Sequence, residues 1–382
     1  MRRQAIYGLD LVRFLAASAV LFYHLGFKAF AVPDHSLHLR IGGDVRLPGW
    51  SGASWWGWIG VQVFFVISGQ VIAYSAEGAT WRSFARSRVA RLFPAMFICA
   101  TLIAVVVMTW NAASLQQTLL LWLKSVTFFP LGPWLAGQFW TLPIEIFFYG
   151  LVWLMIVAGV ARRLEALAWS LALVSAAYWV GLTLTGAGDP YGRLTQLFML
   201  QHGCYFALGI LLSIIDRRGL SAGRIVLGMV CLVPAWLQIG ASTLAEKPGF
   251  GLEAFAIWPF IAWIIAIGLI VASLRWKSEF GAAIGHHGPV VRNIGLATYP
   301  LYLIHMHVGG PVLVEALAFG LPAWMALSGA YIVSVVVAWI IAVHLEPPLH
   351  KAVVAVLKRM LPDRAAPERP SRAADQGGVS QC

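Results

Sequence analysis

The sequence predicts an all-α fold: a polytopic transmembrane helical bundle of about ten spans, with one short re-entrant or interfacial helix. Three observations predict it. Hydrophobic residues make up 60% of the 382 and charged residues 11%, with a mean hydropathy of +0.77, whereas soluble domains carry about 25% charge. Ten apolar runs are long enough to cross about 30 Å of hydrocarbon. The basic residues sit in short stretches between those runs, not on one soluble face, so the net charge of +11 reads as membrane orientation and not as a nucleic-acid footprint.

In chain order the runs lie near 9–30, 55–76, 93–110, 139–160, 166–185, 194–215, 225–244, 254–274, 294–313 and 324–345. An eleventh, 115–129, is short, carries Lys124 and ends at Phe-Phe-Pro130-Leu-Gly-Pro133. Charge decides its placement. If it does not cross and the N-terminus is cytoplasmic, one face receives Arg82, Arg86, Arg88 and Arg91, then Arg162 and Arg163, then Arg217, Arg218 and Arg224, then Arg275, Lys277 and Arg292, and the tail from Lys351. The other face keeps Lys28, Arg40, Arg46, Lys124, Arg193 and Lys247. A crossing at 115–129 moves two basic clusters to the wrong side, so this helix is expected on the outer side, beside Trp134 and Trp140, as a lid over an outward-facing site. Two regions follow: a transmembrane domain at 1–350 and a basic, mostly disordered cytoplasmic tail at 351–382, rich in Pro, Arg, Ala and Gly. The expected location is a bacterial cytoplasmic (inner) membrane with both termini cytoplasmic.

Ionisable groups inside spans are costly and therefore functional suspects. The first run holds Arg13 and His24. At about 100° per residue they return to within roughly 20° of each other, stacked roughly 16 Å apart on one helix face. The plainer alternative has Arg13 snorkelling to the headgroups and pairing with Asp10, and His24 bonded to a neighbouring helix. Counting depth from span ends puts Glu145 in the outer half of its span with Tyr149 one turn further in, and His305 slightly past the middle of an outward-running span. His24, Glu145 and His305 are thus expected at similar depth, where a carboxylate fixing an imidazole would make a general base for an alcohol.

At the inner end, Arg88 and Arg91 lie one helical turn apart with Arg13 at comparable depth, and paired guanidinium forks suit phosphate oxygens. Metal binding is not expected. His305 and His307 face away from each other on a helix, and His286-His287 lacks a carboxylate cluster. Cys99, Cys204 and Cys231 lie inside apolar runs and Cys382 ends the chain, a spacing that suggests neither disulfides nor a metal site.

The ordered pieces Leu9-Asp-Leu-Val-Arg13 through His24, Gly60-Val-Gln-Val-Phe-Phe-Val-Ile-Ser68-Gly69, Arg88-Val-Ala-Arg91-Leu-Phe-Pro94, Phe139-Trp-Thr-Leu-Pro-Ile-Glu145-Ile-Phe-Phe-Tyr149, Tyr299-Pro-Leu-Tyr302-Leu-Ile-His305 and Glu346-Pro347 cover most of the chain. Together they resemble the membrane acyltransferase-3 family, integral-membrane O-acyltransferases that modify bacterial polysaccharides and related glycans. The resemblance implies a ten-helix bundle that moves an acyl group, most often acetyl, from cytoplasmic acyl-CoA to a sugar hydroxyl, with no resident cofactor. By position, Arg13 and His24 match the family's Arg and His pair, and Arg88 and Arg91 its cytoplasmic arginine motif. Gln70 departs from the aromatic or aliphatic residue usual after Ser-Gly.

The resulting assignment makes His24, Glu145 and Arg13 catalytic, with Arg88, Arg91 and Arg13 holding acyl-CoA. Tyr149, His305, Tyr302 and Ser68 are read as substrate-binding. Direct transfer is favoured over a covalent acyl-enzyme because no Ser or Cys stands beside the histidine in its motif, Ser68 being the nearest candidate. The rival from another class is a transporter or flippase for a glycan or lipid-linked precursor, which also needs intramembrane charge. Against it, the sequence shows neither repeat halves nor paired broken helices.

Overall fold

The computed structural model describes residues 6–42, 47–186, 192–245 and 257–362. The expectations for Arg46, Lys247 and the tail beyond 362 lie outside the described residues. Among the described residues every regular element is helical, and nine helices are long and apolar enough to cross a membrane. With two further helices, the chain order is α1 (Tyr7–Ala31), α2 (Trp50–Ala76), α3 (Trp81–Trp110), α4 (Leu115–Val126), α5 (Gly137–Val157), α6 (Ala161–Thr185), α7 (Gly203–Arg218), α8 (Ala222–Ala245), α9 (Trp258–Arg275), α10 (Lys277–Ala318) and α11 (Ala323–Met360). The protein is an all-α, multi-pass membrane bundle.

Local chemistry sets the helix ends. A capping box opens α3: the Thr80 hydroxyl accepts from the Ser83 N–H at 3.2 Å, and the Ser83 hydroxyl accepts from the Thr80 N–H at 3.1 Å. Helix α6 ends at Gly186, whose φ of +64° is open to a residue without a Cβ. Within α1, residues Tyr23–Lys28 form a π-helical segment that carries His24. Such segments often mark functional positions.

Three features refine the expectations. Helix α4 has 12 residues, about 18 Å of helix and too short to cross; Leu119, Leu120 and Leu123 face outward while the Trp122 indole donates to the Thr101 hydroxyl of α3 at 3.2 Å. The run expected at 194–215 is interrupted: a short helix, Arg193–Leu197, leads through Met199 at a φ of +66° into α7. Helix α7 has 16 residues, of which 203–211, Ser213 and Ile214 are buried, so protein and not lipid surrounds most of it. The boundary expected at 350 falls inside a helix, because α11 continues to Met360. There Val353, Val354 and Leu357 are half-buried, Lys351, Lys358 and Arg359 are exposed, and Arg86 donates to the Leu361 carbonyl at 2.8 Å.

The basic clusters gather at one end of the bundle through ion pairs across distant segments. Arg217 meets Glu77, Arg224 meets Glu165 at 3.2 Å, Lys277 meets Asp216 at 3.9 Å and Arg292 meets Asp10 at 3.1 Å. Two close crossings then fix the centre. A Cβ on Gly57 would lie 2.1 Å from the Ala19 carbonyl oxygen, tying α2 to α1, and one on Gly209 would lie 2.1 Å from the Val66 carbonyl oxygen, tying α7 to α2. Gly209→Ala is expected to lower the thermal midpoint of the purified protein by the equivalent of about 1–3 kcal/mol or more, since backbone must move. Gly150→Ala, which meets nothing within 4 Å, should leave it unchanged or slightly raised.

Candidate active site

At the arginine-rich end, a cavity of about 690 Å³ opens between α1, α2, α3, α10 and α11, with Asp10, Arg13, Arg88, Arg91, Arg292, Glu346 and His350 on its walls. Asp10 organises it. Its carboxylate is 2% exposed and accepts from Arg13 Nη1 at 3.3 Å and from Arg292 Nη1 at 3.1 and 3.3 Å. A Cβ on Gly295 would sit 2.5 Å from Asp10 Cβ, so only glycine lets α10 close on this carboxylate. The local pairing of Arg13 with Asp10 is therefore present, and a second arginine from α10 completes it.

A deeper chamber of about 140 Å³ adjoins this vestibule. Arg13, Val71, Arg88, Arg91 and Gly295 line both cavities and so form the passage between them. The chamber also receives Ser68 from α2, Glu145 and Tyr149 from α5, and Tyr299 and Tyr302 from α10. Glu145 Oε1 accepts from the Ser68 hydroxyl at 2.7 Å and from the Tyr149 hydroxyl. The Arg88 guanidinium lies 5.8 Å from the Tyr149 ring centre, and that of Arg91 5.9 Å from the Tyr299 ring centre. Two hydroxyl donors from different positions on α2 and α5 thus converge on one Glu145 oxygen, which ties the two helices together at the chamber wall.

His24 and His305 do not line either cavity. Their ring centres are 5.2 Å apart, and the His35 ring is 6.5 Å from His24. Tyr302 stands between the chamber and these rings. Its hydroxyl donates to the Gln138 carbonyl at 2.9 Å and lies 3.1 Å from the Thr141 hydroxyl, while the Gln138 amide donates to the Leu303 carbonyl at 2.7 Å. Its own carbonyl is 2.8 Å from His305 Nδ1.

The structure thus brings Arg13, Ser68, Arg88, Arg91, Glu145, Tyr149 and Tyr302 to one chamber and sets His24 and His305 together beyond it. The expected His24–Glu145 pair is not formed. Counting depth from 139 as a span end does not hold at Glu145, because the chain is already buried at Leu135 and Ala136, before α5 starts, and at Gln138 and Phe139 in its first turn. Sequence reasoning also passed over three residues on these walls. Tyr299 was visible within a motif, Asp10 as a carboxylate one turn before Arg13, and Arg292 only as one more basic residue.

A cationic vestibule thus adjoins a chamber of carboxylate, hydroxyl and phenol groups inside a membrane-spanning bundle. Residues 6–343 match the acyltransferase-3 family model, described as an acyltransferase domain, and the chain belongs to that family: it is a multi-pass membrane acyltransferase. No curated protein and no solved structure matches it.

Removing the carboxylate that both arginines share should destabilise the vestibule. Asp10→Ala is expected to cost about 1.5–3 kcal/mol, the range for hydrogen bonds to charged groups. The readout is thermal unfolding in detergent, with Asp10→Asn falling between the two.

Proposed function

We propose that this acyltransferase moves an acetyl group from acetyl-CoA to a hydroxyl of a cell-surface polysaccharide or glycan precursor. It would work in a bacterial cytoplasmic membrane with both termini and the arginine-rich end facing the cytoplasm. The observation that carries this reading is the guanidinium cluster at the junction of vestibule and chamber. Arg13, Arg88, Arg91 and Arg292 exceed Asp10 and Glu346 by two charges, 4 − 2, which suits the diphosphate and ribose phosphate of CoA. The wide vestibule suits the nucleotide, and the narrow chamber suits an extended thioester-bearing arm with a short acyl group.

Arg13 and His24 are separated by roughly 16 Å along α1, a distance the flexible arm of CoA would span once Tyr302 moves aside. His24 then takes the proton of the acceptor hydroxyl as its oxygen attacks the thioester carbonyl carbon. The new carbon–oxygen bond forms, the carbon–sulfur bond breaks, and the CoA thiolate leaves and recovers the proton from His24. Glu145 keeps Ser68, Tyr149 and Arg88 in place around the arm.

Two measurements test the reading. In a deletion strain, mass spectrometry of surface glycans should show loss of an acetyl mass, restored by wild type but not by His24→Ala, whose rate should fall about 10²- to 10⁴-fold. Near-normal acetylation by well-expressed His24→Ala overturns the mechanism, and unchanged glycan masses in every strain overturn the acceptor. In purified protein, Arg88→Ala and Arg91→Ala should each raise the KM for acetyl-CoA about 10- to 100-fold with a smaller effect on kcat.

A further inference from the structure

A base needs a partner to fix its tautomer and carry its positive charge once protonated. Glu145 does not serve His24: it lines the chamber with Ser68 and Tyr149, whereas His24 lines neither cavity. The groups acting electrostatically on His24 are His305, Lys28 and His35, none of them a carboxylate. Lys28 is drawn aside over the Tyr23 ring, 5.0 Å from its centre. The His35 ring centre is 6.5 Å from that of His24, against 5.2 Å for His305, which leaves the imidazole of His305 as the nearest partner.

The hydrogen bonding of His305 defines what it offers. Its Nδ1 lies 2.8 Å from the Tyr302 carbonyl oxygen, and a carbonyl only accepts, so Nδ1 bears the proton. The neutral ring then presents Nε2 as a bare lone pair, and this atom is buried without a partner. His24 shows the complementary defect: the ring is partly exposed, yet Nδ1 is buried and unpartnered, leaving Nε2 on the open side. The ring centres are 5.2 Å apart and the planes inclined at 37°. Two imidazoles joined by an N–H···N bond of about 3 Å have centres roughly 5 Å apart, which matches the observed separation of the two rings.

We infer that His305 is the positioning residue for His24: its Nε2 accepts from His24 Nδ1–H, which turns the His24 Nε2 lone pair towards the acceptor hydroxyl. The chain runs from the Tyr302 carbonyl through His305 to His24, and each ring keeps one proton until the hydroxyl proton arrives on His24 Nε2. The resulting imidazolium shares its charge with the neutral His305 ring through the same bond. This assignment rests on His24 being the base of the transfer, as proposed above.

Substitutions at His305 test it by which acceptor atom they keep. Gln carries its amide oxygen near the place of Nε2, Asn near that of Nδ1, and Leu carries none. His305→Leu should lower kcat by about 10²-fold or more while the KM for acetyl-CoA stays within about twofold, and His305→Gln should recover most of that loss. Wild-type kcat in folded His305→Leu, or a KM that rises as kcat falls, overturns the inference. If His305→Leu does not reach the membrane folded, the comparison passes to Gln and Asn: a rate at least about tenfold higher for Gln supports the bond to Nε2, and equal rates overturn it. Absence of acetyl transfer by wild type in the same assay would instead overturn the proposed reaction.

Discussion

A carboxylate inside a membrane bundle is tolerable only while cations hold it, and the vestibule depends on the pairing of Asp10 with Arg13 and Arg292. The pair joins α1 to α10 across 282 residues of sequence. Gly295 permits the approach, and with α10 drawn in, Tyr299 and Tyr302 reach the chamber and His305 comes beside His24. Arg88 and Arg91 arrive independently from α3 and line both cavities, facing Glu145 in the chamber and Glu346 in the vestibule. Asp10 thus binds one arginine of the passage, Arg13, and one of the vestibule, Arg292.

The division into two compartments follows from the same economy of charge. Cations and the Glu145 anion cluster at the arginine-rich end, whereas the imidazoles sit past a neutral closure made of Tyr302, Thr141 and Gln138. Every member of that closure is buried and hydrogen-bonded, so the strength of the bonds suits the low dielectric around them. The arginines and the imidazoles are kept apart by a seam of neutral side chains.

Much of this was legible in the sequence, for physical reasons. Lipid leaves the backbone no choice but helix, so the apolar runs and the intervening arginines were enough to read a helical bundle with one basic end. The arginine pair and its nearness to Arg13 were legible because they depend on helical spacing and on position near span ends. The partner of His24 was not. The chain is buried at Leu135 and Ala136, before α5 begins, the path into α7 breaks at Met199, and residue counting assumes that neither happens. Nor does spacing reveal Asp10 with Arg292, since a contact between chain ends leaves no periodic trace.

The π-helical segment at Tyr23–Lys28 has a counterpart at Ile341–Leu345, immediately before Glu346. Each amounts to one extra residue absorbed into a continuous helix, a phase change without a change of direction. Removing one residue there would turn everything beyond it by about 100° around the helix axis. Chain length in these two stretches is therefore under the same constraint as residue identity elsewhere, and substitutions are easier to accommodate there than gaps.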